Sequence, residues 1–102
     1  MDFETRLQAF LTGAQAIYDK YMAEHYPNNT VEKLTLERGS RYVRIMRVGP
    51  GTNSAWAFID KTNGDVLKPA SWKTPAKHAR GNIYDESNGL SKVGPYGPAY
   101  LR

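Results

Sequence analysis

Cysteine is absent from these 102 residues, which removes disulfides, thiolate catalysis and cysteine-based zinc sites from consideration. Histidine is scarce. His25 and His78 are the only two, too few for a metal centre unless carboxylates join them, and no cofactor is implied. No apolar run exceeds a few residues, so no segment is long enough to cross a bilayer as a helix. The opening stretch MDFETRLQAFLTGAQAIYDKYM carries acidic residues early and polar ones throughout, unlike a signal peptide. The expectation is a protein that stays in the cytoplasm where it is made, with no membrane partner. A Gly-x-x-x-x-Gly-Lys loop and a histidine pair at ligand spacing are also missing, so no enzyme is expected.

What is present is a segregated charge. Residues 1–37 hold six acids and three bases, a net of −3, and residues 38–102 hold eleven bases and four acids, a net of +7. Solubility alone would account for the overall +4, but less easily for the separation, which points to a polyanion facing the C-terminal two-thirds.

The length suits one domain with a modest core. Phe3, Leu7, Phe10, Leu11, Ala14, Ile17, Tyr18, Tyr21 and Met22 recur at spacings of three and four, the stripe of an amphipathic helix within residues 1–25. Asp2 is the natural N-cap, and Pro27 disfavours helix at Tyr26. Gly13 weakens the helix unless something approaches it closely, and a sheet would be the natural neighbour. His25 is placed to cap the last carbonyls.

Residues 31–68 alternate as strands do. VEKLTLE, RYVRIMRV and SAWAFID are followed, after Asn63-Gly64, by the short DVLK. Asn63-Gly64 suits a type I′ turn, in which both positions take positive φ, and GPGTN (49–53) suits a hairpin loop. The fold class is therefore α+β, one helix packed on an antiparallel meander of three to four strands. Alternation assigns Val43, Ile45, Ala55, Ala57 and Ile59 to the face under the helix, and Tyr42, Arg44, Trp56 and Phe58 to the opposite face.

The stretch KPASWKTPAKHARGN (68–82) sets Lys68, Lys73, Lys77, His78 and Arg80 around Trp72. Thr74, Pro75 and Gly81 fit the start and stop of a short helical turn, whose free amides would attract an anion. Basic groups interleaved with an aromatic are what phosphates and bases require together. The candidate phosphate or nucleotide contacts are Arg44, Lys68, Lys73, Lys77, His78 and Arg80, and the candidate stacking surfaces are Tyr42, Trp56 and Trp72. The same residues also fit a structural cap, with Trp72 plugging the sheet and Arg44 paired across strands with Glu32, Glu37 or Asp60. Residues 84–102, rich in glycine, proline and tyrosine, have no periodicity and read as a wrapped coil or a binding tail.

The run AFIDKTNGDVLKPASWKTPAKHARGNI (57–83), about a quarter of the chain, resembles a segment recurring in short uncharacterised bacteriophage proteins. The shared positions are Ile59, Asp60, Thr62, Gly64, Asp65, Ser71, Trp72, Lys73, Pro75, Ala76, Lys77, Arg80, Gly81 and Asn82. The resemblance implies a viral origin and action in an infected bacterium; it brings no activity, and the N-terminal helix takes no part in it. Three functions fit the residues: a non-enzymatic module for single-stranded or structured nucleic acid; a counter-defence protein that sequesters a signalling nucleotide, as a homo-oligomer; or an inhibitor of a host protein.

Overall fold

A computed structural model describes residues 2–28, 32–49, 52–95 and 97–98. Helix α1 (Phe3–His25) begins where Asp2 accepts the Thr5 amide at 2.8 Å and ends at Tyr26, whose amide bonds the Met22 carbonyl. Its buried side is Leu7, Phe10, Ala14, Tyr18 and Met22, the centre of the stripe. His25 does not cap the helix; its ring stacks on Tyr21 at 4.4 Å between centroids.

Strands β1 (Lys33–Arg38), β2 (Tyr42–Gly49), β3 (Thr52–Asp60), β4 (Asp65–Leu67) and β5 (Gly81–Asn82) form one antiparallel sheet in chain order. A two-stranded ribbon, β6 (Val93–Gly94) with β7 (Gly97–Pro98), follows. The fold is α+β as the periodicities indicate. Helix α1 covers the face carrying Leu34, Val43, Ile45, Ala57 and Ile59, and these residues join Leu7, Phe10 and Ala14 in the core.

The exposed edge of the sheet is managed by the helix. Gln15 donates to the Glu32 carbonyl at 3.2 Å and accepts the Leu34 amide at 2.8 Å. Its side-chain amide thus stands in for a neighbouring strand and blocks pairing there.

One irregularity changes the faces of β3. Ile45 pairs with Ala57 but Met46 pairs with Ala55, which leaves Trp56 as the extra residue of a β-bulge. The bulge breaks strict alternation, so Trp56 turns to the helix side beside Ala57. Its indole is 3% exposed and lies 6.4 Å from the Phe10 ring. The expected place for Trp56 on the outer face is therefore corrected.

Two turns also differ from expectation. The β3–β4 connection is not a type I′ turn, because Gly64 has φ +82° while Asn63 does not share the positive φ that type requires. Asp60 organises it instead, accepting from the Thr62 amide at 2.9 Å and hydroxyl at 2.6 Å while Gly64 bonds back to the Asp60 carbonyl. Residues 74–80 form no helical turn. Pro69 and Pro75 face each other across an antiparallel bridge, and the Thr74 carbonyl takes the Ala70 and Ser71 amides. The result is a small hairpin with Trp72 and Lys73 at its tip. The Thr74 amide is satisfied by Ser71 Oγ at 3.2 Å, so the expected helix-start anion site does not exist.

Beyond β5 the chain returns to the helix. Ile83 is fully buried, and Leu90 sits where a Cβ on Gly13 would collide with it. Gly13 thus admits the C-terminal segment and not the sheet. Arg6 donates to the Ile83 and Asp85 carbonyls at 2.6 Å each, and Asn88 donates to the Arg6 and Ile83 carbonyls. The part of the expected tail that is described, residues 84–95 and 97–98, is thereby wrapped on the domain; residues 99–102 lie outside the described residues.

Candidate nucleic-acid interface

The outer face of the sheet, away from α1, begins with Tyr42 and Arg44 on β2 and Phe58 on β3. Tyr42 and Phe58 meet edge to face, 6.1 Å apart at 83°, which fixes the phenol ring as a wall. Arg44 is held from three sides. Its guanidinium lies 4.0 Å from the Trp72 ring centroid, donates to the Trp72 carbonyl at 2.9 Å and pairs with Glu37 on β1. This arginine is what fastens the 69–75 hairpin to the sheet. Its Nε remains buried without a hydrogen-bond acceptor.

Trp72 is 40% exposed although its ring is pinned by Arg44. Beside it opens a cleft of about 330 Å³ in which four cations, Arg38, Arg41, Arg44 and Lys73, face a single carboxylate, Glu37, with Tyr42 and Phe58 as its aromatic surfaces. Lys73 Nζ has no ion pair or hydrogen bond among the described residues. Arg38 is tied to Glu4 of the helix at 2.9 Å, and Arg41 lies 5.2 Å over the Tyr42 ring while reaching Asp60 at 3.4 Å.

A second cleft of about 370 Å³ shares Arg41 and Tyr42 with the first and continues to Asp65, Lys77 and His78. His78 has φ +71°, a left-handed conformation uncommon outside glycine. Arg80 holds it there by donating to the Lys77 and His78 carbonyls at 2.8 and 2.6 Å.

The structure thus divides the candidate residues. Arg44, Lys73 and Tyr42 share the first cleft, with Trp72 against it; Lys77 and His78 line the second. Lys68 and Arg80 line neither. Lys68 Nζ bonds the Pro98 carbonyl at 3.1 Å, and burial, then the nearby Arg80 charge, pushes its ammonium pKa down. Trp56 is in the core. Of the cross-strand pairings expected for Arg44, the one with Glu37 is present, while Glu32 and Asp60 pair instead with Arg47 and Arg41.

Arg38 and Arg41 line the first cleft but were not among the candidate contacts. Arg41 shares parity with Val43 and Ile45, but β2 starts at Tyr42, and parity has no force on a turn residue. The charge run Arg38, Arg41, Arg44 was the available signal.

Asp60 supports the wall between the clefts. Burial would raise its pKa, but the Thr62 hydroxyl and amide and the Arg41 guanidinium outweigh that, and the carboxyl is held below its ordinary value. A folded-state pKa below the unfolded one means stabilisation that is present above the unfolded value and lost as pH falls through the folded one. The stability gap between wild type and Asp60→Asn is therefore expected to narrow below about pH 4. Thermal melts of both proteins from neutral pH downward check this, and a constant gap contradicts it.

Among the described residues no helix is long and apolar enough to cross a membrane, and no group of three or more His, Asp or Glu side chains could hold a metal ion. Fold and site together define a small α+β domain with a basic, aromatic-walled outer face. Residues 3–95 match a family of unknown function, DUF7717, and the chain belongs to that family. The match includes α1, which the phage-protein resemblance leaves out. No curated protein and no solved structure matches.

Proposed function

We propose that this protein is a non-enzymatic nucleic-acid-binding module that uses the outer face of its sheet. The observation carrying this reading is the pinned, 40% exposed Trp72 ring beside a cleft of four cations and one carboxylate. A base stacks on the indole or on the Arg41 plane, and phosphates meet Lys73 and the arginines. Arg44 acts chiefly by positioning Trp72, since its charge is already paired with Glu37. The likeness of residues 57–83 to bacteriophage segments supports a viral accessory acting in the cytoplasm of an infected bacterium.

Fluorescence anisotropy with labelled single-stranded DNA and RNA, across a salt series, tests the reading. The log–log slope is expected near −0.7 per phosphate neutralised, and Trp72→Ala is expected to cost about 1–3 kcal/mol of affinity. Salt-independent binding, or unchanged affinity in Trp72→Ala, overturns it.

The size of the first cleft favours a second reading, sequestration of a signalling nucleotide, since about 330 Å³ is at the small end of ligand pockets. Calorimetry separates the two. Stoichiometric uptake of a cyclic dinucleotide without retention of oligonucleotides selects the second.

A further inference from the structure

We infer that the two clefts are consecutive stations on one track, so that the ligand is a strand several nucleotides long and not a mononucleotide. This rests on the nucleic-acid reading and adds the path. Both clefts include Arg41 and Tyr42, and the stacked Arg41–Tyr42 pair stands between them as a partition. At about 330 and 370 Å³, each has room for one small ligand group. A single nucleotide occupies one side of the partition; only a polymer crosses it.

The charges along this path fit a backbone with repeating anions. Lys73 stands at one end, Arg41 in the middle with its side chain 64% exposed, and Lys77 at the other end. Lys73 and Lys77 spend none of their ammonium donors within the described protein. Asp60, the buried acid in the second cleft, is already engaged by Thr62 and Arg41. Asp65 accepts from Asn82 at 3.0 Å through one oxygen, and its other oxygen is an acceptor for a base or sugar donor. The track thus offers phosphates the cations Lys73, Arg41 and Lys77, and offers a nucleoside the free acceptor of Asp65 in the second cleft. In the second cleft Arg80 clamps the left-handed His78 through its carbonyl.

The test is a length series of labelled oligo-dT and oligo-U, from two to eight nucleotides, titrated with wild type, Lys73→Ala and Lys77→Ala. Both substituted side chains are exposed, so neither variant is expected to disturb folding. Affinity is expected to climb with length beyond two nucleotides. Lys73→Ala should weaken short and long probes alike, whereas Lys77→Ala should weaken the long probes about 3–10-fold, on the order of one lost phosphate contact, and spare the dinucleotides. If probes bind but affinity is flat with length, or Lys77→Ala equals wild type on the longest, the track is wrong and the first cleft alone is the site. If neither probe binds at any length, the nucleic-acid reading fails together with the track.

Discussion

Trp56→Ala is expected to cost about 3–5 kcal/mol of folding stability, the range for removing a large aromatic from a packed core. The indole is 3% exposed, tilted against Phe10, and its N–H points to the Pro95 carbonyl at a long 3.4 Å. Most of the cost is therefore lost packing, since a hydrogen bond at that distance adds little. Trp56→Phe should recover much of the loss because a ring still meets Phe10. The two tryptophans should then separate cleanly: Trp56 variants shift the denaturant midpoint and leave oligonucleotide affinity per folded molecule unchanged, and Trp72→Ala does the reverse. A midpoint shift worth less than about 1 kcal/mol for Trp56→Ala would show that the bulge does not turn the indole inward.

The contrast between the two tryptophans marks how far sequence patterning reaches. The helix and its capping Asp2 were legible because spacing of three and four is a local consequence of 3.6 residues per turn. Val43, Ile45, Ala57 and Ile59 were legible because pleating enforces alternation. Trp56 was not, since a bulge is a property of how two strands pair and leaves no mark in the alternation of one strand alone. The hairpin at Trp72 was hidden for another reason. Thr74-Pro75 suits a helix start, but Ser71 and Thr74 supply enough side-chain and carbonyl partners to close a hairpin there. Nor could closeness in sequence show that Lys68 and Arg80 part from Lys73 and Lys77, because the 69–75 excursion carries the tip across the sheet while Lys68 turns to Pro98.

Removing residues 82–102 is expected to abolish cooperative folding. The segment looks dispensable by composition, yet it supplies Ile83 to the core and seats Leu90 and Val93 against it. Fully burying an aliphatic side chain is worth about 1.5–3 kcal/mol, so these three together with Pro98 represent on the order of 5 kcal/mol, comparable to the whole stability of many small domains. The loss extends to the residues left behind. Arg6 would lose both its carbonyl acceptors, Gly13 would face water where Leu90 now packs, and β4 would lose the Asn82 bonds that tie Asp65 and the Asn63 carbonyl. Urea titration by far-UV circular dichroism is the measurement, and a broad transition without a plateau is the expected result. A truncated chain that melts like wild type would show the segment to be an appendage, and would free it for the role of binding arm. The truncation also reaches the second cleft directly, because Asn63 and Asp65 line it and both are held by Asn82.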